Sequence, residues 1–132
     1  MVATIHSSSV EPLKHQRGGR LQTLLSTKTT GNTAGYLGTF SLQPGEVFLK
    51  HYHPYSEECF YVIQGTVTIE DDENAPVIAP AGTAVFVPRN EPHRLRNEGT
   101  EEVFLVFFCS PLAPSPSEGH VLLEQEAPAR VS

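Results

Sequence analysis

The stretch from Gly45 to Gly65 reads GEVFLKHYHPYSEECFYVIQG and decides both the fold and the chemistry expected of the chain. His51 and His53 are one residue apart in it. Alternate side chains of a β-strand point to the same face, so the two imidazoles lie roughly 7 Å apart along one face. Pro54 ends this strand, and the apolar run after the acidic pair predicts a return strand that brings Glu58 back beside the histidines. The stretch therefore predicts three metal ligands on one hairpin.

Short apolar runs continue on both sides of this hairpin, separated by turn sequences such as QPGE (43–46) and DDEN (71–74). Runs of this length at roughly 8–12-residue spacing are typical of an all-β sandwich or barrel. No segment of useful length shows helical periodicity. The predicted strands are LQTLLS (21–26), GYLGTFSL (35–42), VFLKHYH (47–53), CFYVIQG (59–65), TVTIE (66–70), PVIAPAG (76–82), AVFVPRN (84–90), HRLRNEG (93–99) and EVFLVFFCS (102–110).

The length of 132 residues predicts one domain with its own core. Residues 1–16 lack periodicity and are predicted to form an N-terminal arm. Residues 17–112 hold the predicted strands and form the barrel. Residues 113–132 are rich in proline, which cannot donate to a sheet, so this tail is expected to wrap the surface on or near the barrel. Thr29–Thr33 is predicted to be a turn.

The composition excludes several classes of partner. A formal charge of −6 disfavours binding to nucleic acid or to an anionic membrane. No apolar run reaches the roughly 18 residues of a membrane span, and the N-terminal segment has no hydrophobic core of the kind that a signal peptide requires. Cys59 and Cys109 lie in apolar strands and are expected to be reduced, which favours a cytoplasmic location.

A second group of chemically distinctive residues runs from Gly82 to Asn97. The first stretch has the spacing G-x5-H-x-H-x4-E-x6-G and the second has G-x5-P-x-N-x2-H-x3-N, with 16 residues between Gly65 and Gly82. These stretches resemble the two signature motifs of the cupin superfamily. One position departs from the pattern, because Asn90 stands where glycine is usual. Asparagine tolerates positive φ better than most residues, so the turn is still expected to form.

The resemblance implies a single double-stranded β-helix, or jelly-roll barrel, in which His51, His53, Glu58 and His93 form a catalytic metal site. Three imidazoles and one carboxylate suit a divalent ion, zinc first, with iron, nickel, manganese or copper as alternatives. Four ligands leave up to two positions open. Glu57 competes for the carboxylate role, but the six-residue spacing to the motif glycine favours Glu58. The alternative is a hydrogen-bonded polar cluster without metal.

Strand alternation predicts which side chains line the cavity. Leu49 is expected to face the His51 side and Phe48 to face away. His6 and His15 are assigned to the surface, as is His120, although the tail could bring His120 over the barrel mouth. An apolar pocket above a metal suits a hydrophobic, oxygen-rich ligand. The predicted lining comprises Leu49, Phe60, Val62, Gln64 and Leu95, with Phe40, Phe86, Phe104 and Phe108 as further wall candidates that could equally belong to the core between the sheets.

Longer strings resemble one subfamily, namely RGGR (17–20), the run from Leu21 to Glu46, HYHPYSEE (51–58) and SPLAPSPSEGHVLLE (110–124). They resemble the small cupin proteins of bacterial type II aromatic polyketide synthases, including the tetracenomycin, curamycin and resistomycin-type cyclases. This resemblance implies an enzyme of antibiotic biosynthesis that closes rings in a poly-β-ketone by aldol condensation and dehydration. Metal-bound hydroxide, an unligated histidine or Glu58 could act as the base.

Two other functions fit the same residues. A cupin oxygenase acting on an aromatic or quinone-like substrate would use the same ligands, and an accessory protein could bind a small molecule without turnover. Arg89, Arg94 and Arg96 form either a solvated strand face or a docking patch for an acidic acyl carrier protein. The N-terminal arm could pair with a neighbouring barrel, so a homodimer is expected.

Overall fold

The computed structural model describes residues 1–14 and 18–124, and within them the chain forms strands joined by short turns. One short α-helix, α1 (Thr27–Thr30), stands where the sequence predicts a turn, because the Ser26 hydroxyl accepts from the Thr29 N–H and caps it. The 3-10 helices are Ser7–Ser9 and Pro116–Gly119. The strands are β1 (Leu13–Lys14), β2 (Arg20–Leu25), β3 (Tyr36–Leu42), β4 (Val47–Tyr52), β5 (Glu57–Gln64), β6 (Thr66–Glu70), β7 (Val77–Pro80), β8 (Ala84–Val87), β9 (His93–Arg96), β10 (Val103–Ser110) and β11 (Val121–Leu122).

The strands form two antiparallel sheets that pack face to face. The first sheet has the order β1-β2-β3-β10-β5-β8 and the second the order β11-β4-β9-β6-β7. Strands that are neighbours in a sheet are mostly distant in sequence, as in a jelly roll. The all-β prediction is therefore confirmed. No helix in the described ranges has the length and apolar character needed to cross a bilayer.

The core lies between the inner faces of the two sheets. In β10 every second side chain is buried, which gives the alternation expected of a strand with one inward face. Val62, Val67 and Val103 have no exposed surface, so they are held by packing on all sides. The buried apolar set is Phe40, Leu42, Phe60, Val62, Val67, Ala79, Val87, Leu95, Val103, Leu105, Phe107 and Cys109.

The turn before β9 adopts the conformation that the motif requires. Asn90 has φ of 67°, so the positive φ expected at this position is confirmed with asparagine in place of glycine. The Asn90 N–H donates to the His53 carbonyl at 2.9 Å. This bond ties the end of β4 to the turn that leads into His93.

The C-terminal segment does more than wrap the surface. Residues 116–124, here called the strap, end in β11, which pairs with β4 at the edge of the second sheet. The Leu123 N–H donates to the Lys50 carbonyl at 2.9 Å. Glu124 accepts from the Arg94 guanidinium at 2.8 and 2.7 Å and from the Lys50 N–H at 2.5 Å. Strap residues thus supply an edge strand to the second sheet, a pairing that the expectation of a tail on or near the barrel did not include.

The ion pairs of Arg94 and Arg96 favour one of the two interpretations of the arginines, a strand face rather than a docking patch. Arg94 is held by Glu124, and Arg96 donates to Glu70 at 2.6 Å. Both positive charges are therefore offset within the chain and offer little attraction to an acidic carrier protein. Arg89 is exposed.

The N-terminal arm lies on its own barrel. β1 pairs with β2, and the Gln22 side chain donates to the Ser7 and Val10 carbonyls at 3.0 and 2.9 Å. The described part of the arm therefore covers the β2 edge of the first sheet in its own chain.

Replacing Glu124 with Gln should loosen the strap. The charged bonds to Arg94 lower the pKa of Glu124 to about 2, against burial, which raises it. A carboxyl group whose pKa is lowered in the folded state stabilises the protein at pH values above its unfolded-state pKa, which is near 4.5 here. That contribution is lost as the pH falls toward 2. At pH 7 we expect the Leu123 amide to exchange about ten-fold faster in Glu124→Gln, from the loss of about 1.5 kcal/mol in charged hydrogen bonds.

Hydrogen exchange followed by NMR would measure this effect. Glu118→Gln is the matched control, because Glu118 lies in the strap but bonds to Ser115 and not to Arg94. Equal exchange of the Leu123 amide in the two variants would show that the ion pair does not hold the strap.

Candidate metal centre

Three buried histidines meet at the inner end of strands β4 and β9. His51 pairs in register with His93 across these strands, and His53 follows directly after β4. Their exposed fractions are 3%, 5% and 2% for His51, His53 and His93. The three rings offer ligand nitrogens that all lie within 4.8 Å of one another. The sequence-predicted histidines are therefore brought together.

Backbone carbonyls orient all three rings. The Nδ1 atom of His51 bonds to the Leu49 carbonyl at 2.8 Å, that of His93 to Glu91 at 2.9 Å and that of His53 to Gly119 of the strap at 3.0 Å. A carbonyl can only accept, so each Nδ1 carries the proton and each Nε2 presents a lone pair. This is the arrangement that metal-binding histidines use.

Two of these Nε2 atoms are buried without a hydrogen-bond partner among the described residues, which a bound metal ion would explain. The Nε2 atoms of His53 and His93 are buried and have no hydrogen-bond partner within the described part of the chain. A buried polar atom without a partner costs free energy, and a bound cation would remove that cost. The donor set therefore fits a divalent metal ion.

Glu58 supplies the carboxylate. Its Oε2 atom lies 3.5 Å from His53 Nε2 and its Oε1 atom 3.5 Å from His93 Nε2. These separations exceed a good hydrogen bond, so charge is the main coupling. Glu57 is exposed and points away, since it neighbours Glu58 on the strand. The structure thus places Glu58, and not Glu57, at the histidines.

The electrostatics of the group favour one positive charge beside the carboxylate. Burial and the neighbouring His93 lower the pKa of His51 to about 2, so this ring stays neutral. Burial alone would lower the pKa of His53, but Glu58 outweighs it and raises that pKa. Burial likewise opposes ionisation of Glu58, yet His53 and His93 hold its pKa well below its usual range. A proton on His53 or a metal ion among the histidines would each supply the positive charge that the Glu58 carboxylate favours.

The histidine cluster opens into a cavity that is lined mainly by apolar and aromatic side chains, as small-molecule sites are. Phe40, Phe60 and Leu95 line it, as the sequence predicts. The full lining is Leu21, Tyr36, Phe40, Phe48, His51, His53, Glu58, Phe60, Leu95, Leu105, Phe107 and His120.

Two predicted lining residues are displaced by strand irregularities. The β4–β9 register shifts between Phe48 and His51, so Phe48 faces the cavity with its ring 4.7 Å from that of His51. Leu49 does not line the cavity and contributes only its carbonyl. A second shift opposite Phe104 and Leu105 of β10 leaves Gln64 exposed at the end of β5. An irregularity of this kind reverses the faces that simple alternation predicts.

The other four residues that were predicted to line the cavity lie outside it, either deep in the core or on the outer face of the first sheet. Val62 is fully buried but belongs to the core away from the cavity. Phe104 and Phe108 alternate with the buried residues along β10, so their side chains point outward. Phe86 is 57% exposed, because it pairs with Cys59 on the outer face. The prediction that Phe86, Phe104 and Phe108 form the wall is wrong.

Several cavity residues were not predicted. His120 of the strap stacks on His51, with ring centroids 4.3 Å apart and an angle of 11° between the ring planes, so the possibility that the tail reaches the mouth is realised. Tyr36 and Cys109 lie beside Glu58, and burial raises the pKa of both. Phe107 could have been found by alternation, had the buried Cys109 been used to set the parity of β10.

Comparisons with known proteins agree with this geometry. The family model "Cupin domain" matches residues 38–109. The chain is 47% identical over 121 residues to "Polyketide synthase CurC" of Streptomyces cyaneus, covering 91% of this chain and 75% of the relative. It is 40% identical over 119 residues to "Tetracenomycin polyketide synthase protein TcmJ" of Streptomyces glaucescens, covering 90% and 78%.

A solved structure has the same fold. The polyketide cyclase RemF from Streptomyces resistomycificus superposes with a TM-score of 0.76 at 19% identity, over 96% of this chain and 88% of that one. The sequence-based resemblance to small cupin proteins of polyketide synthases is confirmed. The family model covers more than half of the chain, and relatives that are 47% and 40% identical cover most of its length, so the chain belongs to the cupin family.

Proposed function

We propose that this protein is a metal-dependent cyclase of a type II polyketide synthase, which closes a ring in a poly-β-ketone by aldol condensation and dehydration. The observation that carries the proposal is the convergence of three imidazole lone pairs and the Glu58 carboxylate at the inner end of an apolar cavity. The names of the CurC and TcmJ relatives support the substrate class.

His51, His53, His93 and Glu58 would hold the metal. Three neutral nitrogens and one carboxylate oxygen suit zinc first, and iron, nickel, manganese or copper as alternatives. When bound, such an ion supplies Lewis acidity that lowers the pKa of a methylene between two carbonyls. The backbone bonds at Nδ1 keep the rings in the orientation that this role requires.

The cavity walls have the second task of folding a flexible substrate. Aromatic and aliphatic side chains exclude water and hold the chain so that two particular carbons meet. Alignment of this kind contributes up to roughly 7–11 kcal/mol in well-ordered systems. Phe40 and Phe48 pack edge to face with centroids 4.9 Å apart, so this part of the wall is rigid.

We assign the proton transfer to His120. Its ring lines the cavity on the strap, beside the triad but outside the ligand group. An imidazole in that place can take a methylene proton as the carbon attacks a second carbonyl of the same chain. The proton returns to the new alkoxide, and loss of water then gives the aromatic ring.

Removing a metal ligand tests the core of the proposal. His51→Ala and His93→Ala should each weaken zinc affinity by more than about 100-fold, since loss of a ligand exceeds the effect of losing its outer partner. Ring closure of a poly-β-ketone should be lost with it. Chelator competition and elemental analysis measure the metal, and chromatography of the products measures closure.

His6→Ala is the matched control, because His6 is exposed on the arm. Unchanged products from the two ligand variants would favour the accessory role. Consumption of O2 with the substrate would favour the oxygenase.

Replacing His120 with Phe separates proton transfer from metal binding. A phenyl ring keeps the stacking on His51 but cannot accept a proton. We expect metal content and substrate affinity to stay within about two-fold, while kcat falls by at least about 100-fold. Single-turnover kinetics would measure this. A kcat equal to that of the unmodified protein would show that another group takes the proton.

We also propose that two copies associate through the outer face of the first sheet. Leu37, Tyr61, Phe86, Val106 and Phe108, here called the outer patch, form an apolar surface. Tyr61, Phe86 and Phe108 are 47%, 57% and 40% exposed. The described residues that line this patch include no charged side chain, so it suits a second copy better than an acidic carrier protein.

A charge in the outer patch should separate the copies. Phe86→Asp would place a carboxylate where the partner's apolar side chains pack, and we expect a monomer by light scattering coupled to gel filtration. Val77→Asp is the control, because Val77 is an exposed apolar residue at 54% on the other sheet. A monomeric unmodified protein at micromolar concentration would contradict the proposal.

A further inference from the structure

A buried thiol extends the cluster of potential metal ligands beyond the triad. Cys109 of β10 pairs in register with Glu58 of β5, and its Sγ atom donates to Glu58 Oε2 at 3.4 Å. Cys109 has no exposed surface. The ligand atoms of His53, Glu58 and Cys109 all lie within 4.8 Å of one another. These three side chains therefore form a second ligand group, here called the sulfur group.

His53 belongs to both the triad and the sulfur group. Its Nδ1 atom bonds to the Gly119 carbonyl, so only the Nε2 lone pair can bind an ion. That Nε2 atom is buried with no hydrogen-bond partner in the described ranges, and it lies 3.5 Å from Glu58 Oε2. One lone pair binds one ion at a time. The triad and the sulfur group are therefore alternative positions for a single ion.

Glu58 can serve either position. Its Oε1 atom lies 3.5 Å from His93 Nε2 in the triad, and its Oε2 atom lies beside both His53 and the Cys109 thiol. The two positions thus differ in their remaining donors, which are two further imidazoles in the triad and one sulfur in the sulfur group. Imidazole suits borderline ions such as zinc, whereas thiolate selects softer ones.

We propose that the sulfur group is a second metal position, which takes a thiophilic cation such as cadmium in place of an ion at the triad. Three protein ligands and a water from the adjoining cavity complete the four positions that a cation of this kind accepts. On binding, a sulfur–metal bond replaces the S–H bond, and the thiol proton passes to solvent. The inference deepens the metal-dependent function proposed above and rests on it for the triad position.

Cadmium titration followed by ultraviolet absorption tests the inference, because a sulfur–cadmium bond adds a charge-transfer band. Cys59 is exposed and could bind cadmium by itself, so Cys59→Ser serves as the reference protein. We expect this reference to gain the band at one equivalent of cadmium. Adding Cys109→Ser, or Cys109→Ala if the serine variant does not fold, should remove the band and weaken cadmium binding about ten-fold or more.

His51 distinguishes the two positions, because it belongs to the triad and not to the sulfur group. In the reference protein, His51→Ala should lower zinc affinity as predicted above. The same change should leave the sulfur–cadmium band in place and keep cadmium affinity within about three-fold, since no ligand of the sulfur group is lost. His53→Ala is the matched change in the shared ligand and should weaken the binding of both ions.

Three results would overturn the inference and leave the metal-dependent function standing. The first is one cadmium ion bound to the reference protein without the band, and the second is a further cadmium ion bound beside the first. The third is loss of the band in His51→Ala, which would show that Cys109 joins an ion at the triad. A band in a protein that binds no zinc would instead support the sulfur group and overturn the metal-dependent function.

Discussion

The structure depends on three imidazole rings being held so that their lone pairs face one point beside a buried carboxylate. Each ring donates its Nδ1 proton to a main-chain carbonyl, which removes any choice of tautomer. An assembly of lone pairs and negative charge is repulsive without a cation, and burial makes the repulsion stronger. The barrel must therefore supply enough packing energy to hold it, and in the described part of the chain twelve buried apolar residues form the core that does so.

Two distant parts of the chain are joined through this cluster. The carbonyl that orients His53 belongs to Gly119 in the strap, and the next residue is His120, which stacks on His51. The strap is anchored in turn by Glu124 to Arg94, the neighbour of His93. The strap therefore orients His53 and contributes the imidazole of His120 to the cavity lining. Loosening it would disturb the site even though its own stability contribution is small.

Alternation in the hairpin predicts that His51 and His53 share a face near Glu58, and the resemblance to the second cupin motif adds His93; the structure brings these four side chains together. Prediction from alternation succeeded at Phe60 and Leu95, where the strands are regular. It failed at Leu49 and Gln64, since a local sequence does not reveal an irregular register. It failed again at Phe104 and Phe108, because an unbroken apolar run has no polar residue to mark its outer face. The two-residue strand β11 is too short to leave a periodic signal.

The unbroken apolar runs of β5 and β10 place apolar side chains on both faces of the first sheet. A strand with one face in water alternates apolar and polar residues, whereas CFYVI (59–63) and VFLVFF (103–108) are apolar on both faces. Their inward side chains build the core and the cavity. Their outward side chains include Tyr61 and Phe108, which remain at least 40% exposed in a single copy. Large exposed apolar patches on soluble proteins mark interaction sites. The alternation that places Glu58 inward thus also creates the outer surface through which we propose that two copies associate.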